Sequence, residues 1–228
     1  MEKWLDKLYE TFVETGNYEM ILDGLGATII ITLGALAIGV VIGALIAIIK
    51  YFAEDTPALK PVAKICDLYV TVVRGIPVTV LLLIFFFIVM RNTEGMITAI
   101  ITFGINSGAY MAELIRSGIN AVDHGQMEAG RSLGLSKMQT MSKIIMPQAV
   151  RYILPAIGNE MIALLKETSV AGYVAVIDLT RAGNLVRNNT FDAVNPLILV
   201  ALVYLLLVVL LTQLLNLVER RLAKSDKR

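Results

Sequence analysis

Cysteine and histidine are all but missing from these 228 residues: Cys66 and His124 stand alone. A single thiol makes no disulfide framework, and one thiol with one imidazole makes no cysteine–histidine zinc cluster, so no metal site is expected. A Ser-His-Asp or Cys-His centre would have to be built on His124 by itself. No phosphate-binding loop ending in Gly-Lys-Ser/Thr occurs, so this chain is not expected to hydrolyse nucleotide by that route. An excess of one charge sign is lacking too. The 20 Lys+Arg and 19 Asp+Glu leave a net charge of +1, which argues against a basic nucleic-acid binder. Charge of either sign is scarce, at 17%, where soluble domains carry about 25%.

Apolar residues fill the gap. They make up 57% of the chain, and the mean hydropathy is +0.72. So much apolar surface cannot be covered by so few charges in water. The expectation is an all-α integral membrane protein.

A spanning helix needs about 20 mostly apolar residues to cross a hydrocarbon core of about 30 Å. Gly24–Ile49 and Ala193–Val218 qualify without a charge, and Gly95–Ala112 is a third uncharged stretch. A fourth, about Val62 to Met90, contains the helix-breaking cluster Arg74-Gly75-Ile76-Pro77. The fifth, about Tyr152 to Ile177, is interrupted by Glu160, Lys166 and Glu167. About five transmembrane helices are therefore expected. With the N-terminus outside, the inner segments hold Lys50, Lys60, Lys64, Arg116, Arg131, Lys137, Lys143, Arg151 and the tail residues Arg220, Arg221, Lys224, Lys227 and Arg228. The outer segments hold only Lys3, Lys7, Arg91, Arg181 and Arg187. The positive-inside rule then sets the orientation as N-out, C-in.

The first 20 residues do not read as a secretory signal, because Glu2, Asp6, Glu10 and Glu14 replace a basic start. Trp4, Leu5, Leu8, Phe12 and Val13 share one face at helical spacing, which fits an interfacial helix. Gly39 and Gly43 form a small-xxx-small pattern in the first span; local packing within one chain is preferred over a dimer seam. Neither an internal repeat nor a low-complexity linker is visible, so one domain is expected.

Ionisable residues at membrane depth cost roughly 2.5–3.5 kcal/mol each and call for a reason. Arg74, beside Gly75 and Pro77, either lines a cavity at a broken helix or pairs with a carboxylate as a structural lock, the preferred reading. Glu113 and Arg116 are three residues apart and can pair on one face or snorkel. Asn106, Ser107 and Tyr110 lie deeper, with Gly108 leaving room, and are candidates for a solute path. Asn159 and Glu160 form the strongest polar pair within a span. Glu160 could hold an ammonium group, or pair with Lys166 or Arg74. Lys166, Glu167, Thr168 and Ser169 read first as packing at the subunit seam, where the hydroxyls can bridge helices. Asn188-Asn189-Thr190 matches a glycosylation sequon on the expected outer side, a match read as accidental in a bacterial protein.

From Arg116 to Arg151, between the third span and the next, the chain is polar and basic. Gln126 to Leu133 contains good helix formers, and Gly134 sits where helices stop. Met127, Leu133, Leu135 and Met138 give it an oily side; Glu128, Arg131 and Lys137 give it charge. Such a helix can dock in a groove of another protein or lie on lipid headgroups.

Glu128-Ala129-Gly130, three residues, Gly134, nine residues, then Ile144-Ile145-Met146-Pro147 resembles the EAA motif of ABC-importer permease subunits. The family pattern has Ala where Gly130 stands and Leu where Met146 stands; the spacing is intact. Arg74-Gly75-Ile76-Pro77, Tyr110-Met111-Ala112-Glu113-Leu114-Ile115-Arg116 and Lys166-Glu167-Thr168-Ser169-Val170 resemble the polar amino acid branch, which more often has Thr at Ile76 and Leu at Val170. The likeness extends over nearly the whole chain from about Gly24.

The resemblance implies a type I (MetI-like) importer permease in a bacterial cell membrane. It implies a cytosolic ABC ATPase dimer that binds ATP and Mg, an external solute-binding protein, a second permease subunit and an amino acid substrate; no cofactor is expected on this chain. Residues 1–23 would be an external or interfacial segment and 24–219 the permease domain, with a coupling-helix region at about 117–150 and a basic tail at 220–228. Met127, Glu128, Ala129, Gly130, Arg131, Leu133 and Gly134 would form the coupling helix, with Met127 and Leu133 as its anchors in the ATPase groove and Glu128 and Arg131 its charged contacts. An ion-driven secondary transporter is the alternative, weakened by the lack of repeats. An intramembrane enzyme using Glu113, Glu160 or His124 is a further one, weakened because these lack paired partners.

Overall fold

Asn17–Ala53 forms a single helix of 37 residues, α1, in the computed structural model, which describes residue 7 and residues 9–224. No proline interrupts it, and it begins ahead of Gly24. A short 3-10 turn, Pro57–Leu59, leads into α2, Lys60–Gly75. Next comes α3, Val78–Ile84, extended by a π-helical turn, Phe85–Val89. The long α4 covers Gly95–Asn120, and the short α5 covers Gly125–Ser132. A four-residue α6, Lys137–Thr140, runs through a π-helical turn, Met141–Ile145, into α7, Met146–Glu167. A 3-10 stretch, Thr168–Val174, precedes α8, Leu179–Thr190, and α9, Asn195–Lys224. No strand occurs among the described residues.

Among the described residues, three helices are long and apolar enough to cross a bilayer: α1, α4 and residues Asn195–Leu222 of α9. The bent pair Pro57–Gly75 and Val78–Val89 makes a fourth if it counts as one span. The break falls at the expected cluster. Pro77 has no amide hydrogen to donate and adopts φ −55°, ψ 133°, and its carbonyl accepts the first bond of α3 from Leu81 at 3.0 Å. The fifth expected span is helical through Glu167 as α7, but the polar and charged residues along it, Arg151, Glu160, Lys166 and Glu167, keep it below the same standard of length and apolarity. Of the apolar stretch of α4, 61% is buried, against 6% for that of α9. The exposed leucines and valines of α9, such as Leu202, Leu205, Leu206 and Val209, need hydrocarbon around them.

The chain divides into two compact units. The first comprises residues up to Ala37, Ile76–Gly104 and Ala163–Leu210. In it Ala27, Ile31 and Ala35, one turn apart on α1, pack with Leu82, Phe103, Leu164 and Val174. A second cluster joins Phe12 and Ile21 to Leu179, Ala182, Val186 and Val200. Phe12 is thus a core residue, while Val13 is 49% exposed, so these two do not share the one apolar face expected of them. Trp4, Leu5 and Leu8 lie outside the described residues. Asp178 caps α8 by accepting from the amides of Thr180 and Arg181. Burial raises the pKa of its carboxyl, and those two amides oppose the rise. The Asp192 carboxylate, 3.8 Å from Lys7, accepts from the amides of Val194 and Asn195 and from the Asn195 side chain. Burial works against that charge, yet these donors prevail and lower its pKa.

The second unit comprises Ile38–Gly75, Ile105–Ile162 and the chain from Leu211. Its core gathers Ala47, Ile115, Val122, Met141, Ile145, Ala149 and Ile153. Here α1 and α4 approach at the small-xxx-small pattern. A Cβ on Gly39 would lie 2.8 Å from the Ser107 hydroxyl, and one on Gly43 only 2.4 Å from the Met111 Cβ. The pattern therefore serves packing within one chain, as expected.

Gly26 lies on the same helix, and a Cβ added there would meet nothing within 4 Å, so two alanine substitutions separate propensity from packing. Gly43→Ala is expected to destabilise by about 1–3 kcal/mol through overpacking. Gly26→Ala is expected to stabilise by up to about 1 kcal/mol through helix propensity. Thermal unfolding of the purified chain in detergent reads both; equal effects of the two would contradict the packing account.

Candidate functional site

Two groups of residues in the second unit carry the polar chemistry. The first is built where α4 crosses α2 and α7. Ser107, fully buried on α4, donates its hydroxyl to Glu160 Oε1 on α7 at 3.1 Å. Tyr69 on α2 donates to the carbonyl of Ile105, and Gly108 leaves the room: a Cβ there would meet the Tyr69 oxygen at 3.0 Å. The Arg74 guanidinium, at the end of α2, stands 5.0 Å from the ring centroid of Tyr110. Arg74 therefore meets an aromatic face, a cation–π contact, where a carboxylate lock was expected.

Several expected neighbours separate. Asn159 is exposed while Glu160 turns inward to Ser107, because successive helical residues point about 100° apart. Asn106 is 4% exposed, next to Ser107 in sequence and just as enclosed. Glu113 and Arg116 pair at 2.7 Å on one helix face, as expected. In the first unit, Lys166 is exposed and Glu167 half-buried. Thr168 donates to the carbonyl of Leu165 at 2.7 Å and its side chain also hydrogen-bonds Tyr204 on α9, so this hydroxyl bridges helices as expected. Ser169 lines a polar cavity of about 270 Å³ with Asp178, Thr180, Arg181 and Asn184. Gly75 and Pro77 sit at the helix break, Gly75 exposed and Pro77 beside it at the start of α3. A carboxylate with a hydroxyl, beside a guanidinium held over a phenol ring, can grip an ammonium or amide group. Tyr69 was not singled out in the sequence; its signal is the lone phenol of α2, a helix that carries both charged and apolar residues.

The second group is α5 with its supports. Leu133 closes the helix, and Gly134 follows at φ +82°. The Gly134 amide donates to Arg131 and the Leu135 amide to Gly130, at 3.0 and 3.2 Å. This is a Schellman cap, whose left-handed residue favours glycine. Glu128, Ala129, Arg131 and Ser132 lie on the open side of the helix, and Leu133 is 81% exposed. Met127, expected as an outward anchor with Leu133, instead packs against the second unit's own core. Gly130 is buried against Thr140, whose methyl carbon would lie 2.4 Å from an added Cβ. That contact explains why glycine stands where the resemblance has alanine.

Beyond α5, Ser136 and Gln139 form a reciprocal capping box that starts α6. Lys137 then reaches the end of α1. Its ammonium donates to Asp55 at 2.7 Å and Glu54 at 3.1 Å, and lies 4.8 Å from the centre of the Tyr51 ring. The hydrogen bond to Asp55 raises its pKa first, burial opposing, with Glu54 adding to the rise. These ties join residues far apart in sequence, so spacing gave no sign of Thr140 or of Glu54 and Asp55.

Long apolar helices with polar groups set among them define a polytopic membrane protein. The comparisons with known proteins agree. Residues 39–224 match the family model described as binding-protein-dependent transport system inner membrane component, and the chain belongs to that family. It is 34% identical over 212 residues to the "Probable glutamine ABC transporter permease protein GlnM" of Bacillus subtilis (strain 168), covering 92% of this chain and 96% of that one. It is 34% identical over 210 residues to the arginine transport system permease protein ArtQ of the same organism, covering 90% and 94%. Its fold is similar to that in a crystal structure of an amino acid ABC transporter with histidines, at TM-score 0.84 and 37% identity, covering 92% and 98%.

The Gly130–Thr140 contact is tested by a double-mutant cycle. Gly130→Ala alone is expected to cost about 1–3 kcal/mol, and adding Thr140→Ala should recover part of it, a coupling of about 0.5–3 kcal/mol. Strict additivity in thermal unfolding would exclude the contact. For Lys137, a raised pKa means its contribution is complete below the unfolded value near 10.4 and is lost as pH rises through the higher folded value. Lys137→Met should therefore destabilise by the same small amount, about 1 kcal/mol or less, at pH 6 and pH 8. A decrement that differed between the two would point to another group.

Proposed function

We propose that this chain is the membrane permease of an ATP-driven importer of polar amino acids, set N-out and C-in in a bacterial inner membrane. In this reading a separate cytosolic ATPase dimer binds ATP with Mg and hydrolyses it; the permease itself catalyses no reaction. An external binding protein delivers the solute, and a second permease subunit, identical or sister, completes the path. Relatives named for glutamine and arginine support a polar amino acid as the solute.

The observation that carries the reading is the construction of α5. Its outer face offers Glu128, Ala129, Arg131 and Leu133, and its inner face is held without slack by Met127 and by Gly130 on Thr140. A helix fixed on one side and displayed on the other transmits displacement as a rigid body. Closure of the ATPases on α5 would then pull α6, and Lys137 would carry the pull to Glu54 and Asp55 at the end of α1. Glu128 and Arg131 supply charged contacts and Leu133 the apolar anchor. Solute would pass the Ser107–Glu160 pair and the Arg74–Tyr110 contact, where carboxylate and guanidinium match the two charged ends of an amino acid.

The test is amino acid uptake into proteoliposomes holding this chain, its ATPase and its binding protein, with ATP on the ATPase side. Uptake should require ATP, and Glu128→Arg should reduce it by about tenfold or more, since a like charge at a docking interface costs several kcal/mol. Uptake indifferent to ATP but driven by an ion gradient would reject the importer reading. Gly134→Val, which forces a β-branched residue into the left-handed cap, should also impair coupling. Unaltered ATPase docking and uptake in that variant would remove Gly134 from the mechanism.

A further inference from the structure

Four cations converge where one end of α1 meets α2 and α4. Lys50, Lys60, Lys64 and Arg116 line a cavity of about 420 Å³ together with Glu54 and Asp67. The acids do not fully neutralise it: with Lys137 counted, five cations face the four carboxylates Glu54, Asp55, Asp67 and Glu113. Asp67 holds Lys50 at 2.6 Å, Glu54 and Asp55 share Lys137 at 3.1 and 2.7 Å, and Arg116 is satisfied by Glu113 at 2.7 Å. Lys60 and Lys64 remain. Both are exposed, and among the described residues neither has a carboxylate within 4.0 Å.

Their placement is unfavourable for the isolated chain. Helix α2 begins at Lys60, so that ammonium group stands in its first turn, where the helix dipole is positive and anions are preferred. No acidic residue stands in that first turn. The two lysines are also four residues apart, a like-charge pair that repels on a helix. An anion bound in the cavity relieves all of this at once.

The same helix shows what kind of anion. Val62, Ile65, Leu68 and Val72 recur at helical spacing along α2 and are 40%, 66%, 63% and 48% exposed. An apolar stripe running away from a basic cavity suits a molecule with a charged head and hydrocarbon tails. We propose that the cavity binds the phosphate headgroup of an anionic phospholipid of the inner leaflet, with its acyl chains along this stripe. Basic pockets between membrane helices on the cytoplasmic side recognise headgroups in this way. The inner-leaflet assignment rests on the orientation proposed above; the site does not depend on which solute is carried.

The full chain, purified in neutral detergent, is titrated with phosphatidylglycerol and in parallel with phosphatidylcholine, and bound lipid is counted by native mass spectrometry. Phosphatidylglycerol should be retained and phosphatidylcholine not. Each lysine near an anionic headgroup contributes about fivefold in affinity, so Lys60→Gln with Lys64→Gln should weaken retention roughly tenfold or more. Lys60→Arg with Lys64→Arg should keep it. Arg220→Gln with Arg221→Gln removes equal charge from residues that do not line the cavity, and should change it by less than about twofold. Equal losses in the two glutamine pairs, or loss in the arginine pair, would overturn the proposal. So would glycerol phosphate binding as tightly as the lipid, which would make this a soluble-phosphate site. None of these readouts measures transport, so the result is independent of the importer reading.

Discussion

The approach of α1 to α4 at Gly39 and Gly43 is the constraint on which the second unit depends. In hydrocarbon, apolar burial does little to hold helices together, and close packing of small residues takes over. With a methyl group on Gly43 set 2.4 Å from Met111, the two helices could not meet as they do. That contact aligns the C-terminal half of α1 with α4. It leaves Ser107 enclosed with Glu160 as its acceptor, and it brings Tyr51, Glu54 and Asp55 to the place where Lys137 finds them.

The displayed helix α5 shows how a short element can be rigid. Eight residues do not make a stable helix in water. The Schellman cap at Gly134, the Gly130–Thr140 fit and the capping box at Ser136 fix it from three directions. None of these fixings uses the face that carries Glu128 and Leu133. That face is exposed, and the charge on it is solvated.

Much of this was readable along the chain. The helix break at Arg74-Gly75-Ile76-Pro77, the stop at Gly134 and the pairing of Glu113 with Arg116 all follow from local rules, because proline geometry, left-handed backbone and i,i+3 spacing act over a few residues. Other expectations failed for want of direction. Met127 and Leu133 share an oily side by composition, yet one faces the core and the other faces out. Asn159 and Glu160 are adjacent in sequence, yet only Glu160 reaches Ser107. Arg74 found the ring of Tyr110, on another helix, where a carboxylate was expected.

Sequence alone determined that this is a helical membrane protein, where its backbone must break, and which family it resembles. Those properties depend on composition, on residue-specific backbone limits and on a fixed spacing of motif positions. Only the tertiary structure decided which polar groups meet and which carboxylates are already engaged. Glu54 and Asp55 share Lys137, Asp67 takes Lys50 and Glu113 takes Arg116, and the lysines of α2 are left over. A pairing of charges is a matter of distance in space, and distance between helices is set by packing that no single segment encodes.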